Sequence, residues 1–77
     1  MPRSPVVNSR TAKRALERGG FVYLRHHGSH AIYINYETKK QTSIPESGGR
    51  DIKKPTLRDI IKQAGLTLEE FLKLLHD

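Results

Sequence analysis

At 77 residues with no cysteine, the chain has room for one thin-cored domain, with neither a disulfide nor a thiolate metal site to staple it. Its formal charge of +6 is uneven: residues 1–58 carry twelve Lys/Arg against four Asp/Glu, net +8, and residues 59–77 carry two against four, net −2. Its short apolar runs exclude a membrane-spanning helix and no signal-peptide pattern opens it, so a soluble cytoplasmic protein whose front part meets polyanions is expected.

Residues 1–7 hold two prolines and no periodicity, and read as a frayed arm before a single domain over 8–77. Asn8 or Ser9 caps a first helix through Arg18, with Ala12, Ala15 and Leu16 as its narrow apolar stripe. Gly19-Gly20 ends that helix with the positive φ a C-cap commonly takes. Residues 21–27 and 30–36 alternate as strands around a two-residue Gly28-Ser29 hairpin turn. Residues 37–40 turn the chain into a third strand over 41–45, whose proline marks an edge. The alternation assigns Val22, Leu24, Ile32, Ile34 and Ile44 to the buried face of this meander. After a Gly-containing loop, Pro55 suits the first turn of a helix with Leu57, Ile60, Ile61 and Ala64 on one face, ended by Gly65. Thr67 and Glu70 form a capping box for a last helix carrying Leu68, Phe71, Leu72, Leu74 and Leu75. The chain is therefore α+β in the order α-β-β-β-α-α. A three-stranded antiparallel sheet with its helices packed on one face is the topology of double-stranded-RNA-binding domains.

The Gly28-Ser29-His30 turn delivers a histidine onto basic surface. Histidine exchanges a proton near neutral pH, and cationic surface attracts phosphate, so the pair points to chemistry on nucleic acid. Strict alternation, however, places His30 on the face of Ile32 and Ile34, which makes it a buried histidine unless twist beside the glycine turn re-aims it. From the residues alone both readings stay open. His26 and His27 lie nearby, but adjacent strand residues face opposite ways and no Cys or carboxylate completes a tetrahedral set. No metal or other cofactor is expected. Tyr23 and Tyr36 read as cross-strand packing residues, while Tyr33, just after the turn, is divided between packing and stacking on a base.

Gly20-Phe21, Gly28-Ser29-His30 with Tyr33 after it, Gly48-Gly49, Ile52-Lys53, Thr56-Leu57-Arg58 and Gln63-Ala64-Gly65-Leu66 follow in order within residues 9–75. Together they resemble the HicA family of toxins from prokaryotic toxin–antitoxin pairs. The resemblance implies an mRNA interferase, an endoribonuclease of this fold, held in a hetero-oligomer by a HicB-type antitoxin, with His30 as its catalytic histidine. The chain also departs from the pattern. Many members carry a further histidine after the third strand, in a Val-Pro-x-His run, where this chain has Ile44-Pro45-Glu46-Ser47. Pro55 replaces a glycine frequent before the Thr-Leu-Arg motif, a change a helix N-terminus tolerates. On this reading His30 is the base or acid in metal-independent attack by a ribose 2′-hydroxyl. Arg25, His27, Ser29, Lys39, Lys40, Arg50, Lys53 and Lys54 are the RNA-binding candidates. The alternatives are a non-catalytic RNA-binding module of the same fold, and a protein-interaction module built on the acidic, Leu-rich last helix.

Overall fold

The computed structural model describes residues 6–76. Local chemistry sets most of its boundaries. Asn8 is the N-cap of α1 (Ser9–Arg18), its Oδ1 accepting from the Thr11 N–H at 2.9 Å. Gly19 keeps an ordinary φ of −84°, and the positive φ falls one residue later, 93° at Gly20. Of the expected arm, residues 1–5 lie outside the described residues. Val7 belongs to the core instead: it is 4% exposed and its carbonyl accepts from the Ile52 N–H at 2.8 Å.

Three strands follow, β1 (Val22–His27), β2 (His30–Asn35) and β3 (Lys40–Pro45), antiparallel and in that spatial order. His27 pairs with His30, which leaves Gly28-Ser29 as a two-residue turn with φ 61° at the glycine, the pattern of a type II′ hairpin. The register slips at Leu24, between the Tyr23–Tyr33 and Arg25–Ile32 pairs. That β-bulge bends β1 and accounts for its broken alternation. At the other end Asn35 Oδ1 accepts from the Glu37 and Thr38 N–H groups, and Tyr36 stands 58% exposed in the turn. Tyr36 is thus no cross-strand packing residue, whereas Tyr23 packs edge-on against Tyr33, ring centres 5.9 Å apart.

The helices α2 (Lys54–Gln63) and α3 (Leu68–His76) complete the fold. Pro55 occupies the first turn of α2, and Gly65 follows it at φ 73°. Thr67 and Glu70 cap α3 reciprocally, at 2.8 and 3.1 Å. The helices cover the sheet face that carries Ala31, Tyr33 and Asn35 from β2 with Thr42 and Ile44 from β3. This corrects the sequence expectation. Of the five predicted core aliphatics only Ile44 enters the main cluster; Val22 is 47% and Leu24 36% exposed, Ile32 is half-buried, and Ile34 is buried outside that cluster. The space between helices and sheet is filled by Leu16 of α1, Phe71 of α3 and Phe21 just before β1, and the Ala12 and Ala15 stripe packs there too. Among the described residues no helix is long and apolar enough to cross a membrane.

Candidate active site and nucleic-acid interface

The alternation held where the core assignment failed, and that frees His30. It shares a face with Ile32 and Ile34, but this is the face the helices leave open, and its side chain is exposed. Residues paired directly across a ladder lie on one face, so His27 of β1 and Pro45 of β3 flank His30, with Arg25 and Ser43 one pair further along. Among the described residues, neither His27 nor His30 has a side-chain hydrogen-bond partner. Beside His30, where α2 runs along β3, is a cleft of about 170 Å³ lined by Ser43, Pro45, Thr56, Asp59 and Gln63. Helix α2 is held there by the buried Thr42 hydroxyl, which donates to the Ile60 carbonyl at 2.9 Å.

His26 faces the other way and is fully engaged. Its Nε2 lies 3.3 Å from Glu46 Oε2 and its Nδ1 2.7 Å from the Tyr23 hydroxyl. A carboxylate only accepts, so Nε2–H donates to Glu46 and Nδ1 takes the Tyr23 O–H. Glu46 also binds the Lys13 ammonium, and that bond first, then His26, holds its carboxyl below the usual range. Burial, followed by the nearby Glu17 and Glu46 charges, pushes the Tyr33 hydroxyl up, so it remains a neutral donor. Ser47, at the position of the relatives' further histidine, accepts from the Ser9 N–H and donates to the Arg50 carbonyl at 2.7 Å, closing its loop. Neither Glu46 nor Ser47 lines the His30 cleft.

The family model of the HicA toxin of bacterial toxin–antitoxin systems matches residues 9–66, a span holding the whole sheet, the turn and both walls of the cleft. The chain belongs to the HicA toxin family. No curated protein matches it. HicA toxins are generally ribonucleases, and membership implies an antitoxin partner.

In this HicA toxin the candidate RNA-binding residues fall into separate groups. Arg25 and His27 join His30 on the open face, and Ser29 sits in the turn with its carbonyl accepting from the Glu46 N–H at 2.9 Å. Arg50 and Lys53 are exposed on the loop between β3 and α2. Lys39 and Lys40 lie at the opposite end of β2, about 17 Å away along the strand, with the Lys40 stem against Gly65. Lys54 faces away from His30, on the far side of α2. The sequence reading missed Ser43, Thr56, Asp59 and Gln63. A signal existed, since Thr56, Asp59 and Gln63 recur at i, i+3 and i+7 and form one polar stripe of the toxin's amphipathic helix. It also missed Arg10 and Arg14, which border a wider cleft of about 470 Å³ between α1 and the Gly48-Gly49 loop.

Proposed function

We propose that this toxin is an endoribonuclease that cuts mRNA at the His30 cleft without a metal ion and is neutralised by a HicB-type antitoxin covering that region. The observation that carries the reading is an exposed histidine at a strand start, without a side-chain partner among the described residues, flanked by a second histidine and opening onto a polar cleft. The cleft is well below the roughly 300–1,000 Å³ of small-molecule pockets, which suits one linkage of a chain whose remainder lies on the open surface.

A neutral His30 imidazole takes the proton from a ribose 2′-hydroxyl. The 2′-oxygen bonds to phosphorus as the bond from phosphorus to the 5′-oxygen breaks, giving a 2′,3′-cyclic phosphate and a 5′-hydroxyl. His27, protonated, donates to the leaving 5′-oxygen. Such proton transfers contribute about 10²–10⁴-fold each. Arg25 on the same face stabilises the phosphorane charge. Gln63, which lines the cleft, offers its side-chain amide to the substrate. Asp59 stabilises the imidazolium that forms.

The test is a defined mRNA incubated with the toxin, with and without EDTA, beside a His30→Ala variant whose fold is checked by circular dichroism. Cleavage that survives EDTA, ends in cyclic phosphate and disappears in the variant is the expected result. Intact RNA bound by both proteins would favour the non-catalytic RNA-binding module instead.

A further inference from the structure

Helix α2 has two opposed faces. At 100° per residue, Thr56, Asp59 and Gln63 on the His30 side lie roughly half a turn around from Leu57, Ile61 and their neighbours. On that far side a groove of about 260 Å³ runs between α2 and the start of α3. Leu57, Ile61, Leu66 and Leu68 form its apolar floor. Its rim is Lys54, Arg58 and Lys62, one row at i, i+4 and i+8, and no carboxylate lines it. None of the three cations enters an ion pair among the described residues.

Like charges four residues apart destabilise a helix, and half-buried leucines leave apolar surface in water. One kind of occupant relieves both costs: apolar side chains for the floor and carboxylates for the rim. The volume falls below the roughly 300–1,000 Å³ of small-molecule pockets, so side chains of a docked segment fit better than a cofactor. An RNA backbone would meet the cations but leave the leucines uncovered. The cation row spans about 12 Å along α2, the length over which a second helix presents carboxylates at the same spacing.

We propose that this groove docks an acidic amphipathic helix of the toxin's protein partner. Bound there, the partner grips α2 on the side away from His30, so anchoring and occlusion of the active cleft are separate contacts. The inference rests on the toxin having a protein antitoxin, and not on the ribonuclease chemistry.

A synthetic peptide of about 18 residues, leucines on one face and glutamates on the other, serves as the probe, its helix completed on docking. By fluorescence anisotropy with the full chain it should bind, and bind more weakly as salt rises. Combining Arg58→Glu with Lys62→Glu, both at exposed positions, should weaken it about tenfold while circular dichroism and RNA cleavage stay unchanged. Amide shifts should follow residues 57–62 and 66–68 and leave His30 unmoved, and the same peptide with lysine for glutamate should not bind. Undiminished affinity of the double variant, equal binding of the lysine peptide, shifts centred on His30, or displacement by a short RNA duplex would each overturn the proposal. So would no binding at millimolar peptide. If RNA stays intact yet the peptide behaves as expected, the ribonuclease reading falls and the docking groove stands.

Discussion

His26 and His27 are neighbours on β1, yet the pleat sends them into opposite environments. On the covered side, His26 has a tyrosine on one ring nitrogen and a carboxylate on the other. On the open side, His27 lies across from His30 and neither ring has a partner among the described residues. The difference separates two uses of one side chain. A histidine with both nitrogens engaged holds structure; one with both available can exchange protons with a ligand. The largest expected effect tests this directly. His30→Gln and His27→Gln should each slow RNA cleavage about 10²–10⁴-fold, while His26→Gln stays within a few-fold. Thermal melts should show the reverse order, with His26→Gln the most destabilised of the three. Loss of cleavage in His26→Gln with activity intact in His30→Gln would put the chemistry on the wrong face.

The two faces also differ in what they contribute to stability. Ile44 is fully buried beneath the helices, and Ile44→Ala should cost about 2–5 kcal/mol in urea denaturation. Ile32, half-buried on the open face, should cost roughly 1 kcal/mol or less as Ile32→Ala. Equal losses would mean that the open face is covered after all. The strand alternation puts these two isoleucines, Ile32 of β2 and Ile44 of β3, on one buried face, which shows where sequence reasoning stops. Caps, the Gly28 turn, the Thr67–Glu70 box and the element order were legible because each is decided within a few residues. Which side of the sheet the helices take is decided by contacts far apart in the chain. The Thr42 hydroxyl reaches Ile60, and the Asn35 amide reaches the Gly19 carbonyl at 3.4 Å, so two polar residues mark the covered face. In the site, His30 was legible from its turn and its resemblance. Thr56, Asp59 and Gln63 were not, since they meet His30 only once α2 lies along β3.

Glu46 gives the smallest effect, and one whose sign is fixed. Its carboxylate joins Lys13 of α1 to His26 of β1, close to where relatives carry their further histidine. Lys13, then His26, holds its pKa below the usual 4.5, so the folded chain binds that proton more weakly than the unfolded chain does. The pairing therefore stabilises the fold above the usual carboxylate value and is lost as pH falls through that value to the lower, folded one. Because the side chain is 40% exposed, screening keeps the contribution small. The melting temperature of the wild type should exceed that of Glu46→Gln slightly near pH 7, and the gap should close below about pH 4. In a Lys13→Ala background the gap should shrink at every pH, since the first of its two partners is gone. RNA cleavage should be unchanged in Glu46→Gln, because Glu46 borders the α1 cleft and not the cleft of His30. A fall in cleavage with no change in melting would reverse the assignment. Glu46 would then stand in chemically for the relatives' histidine, and His26, held on it, would move from the structural side of the comparison to the catalytic one.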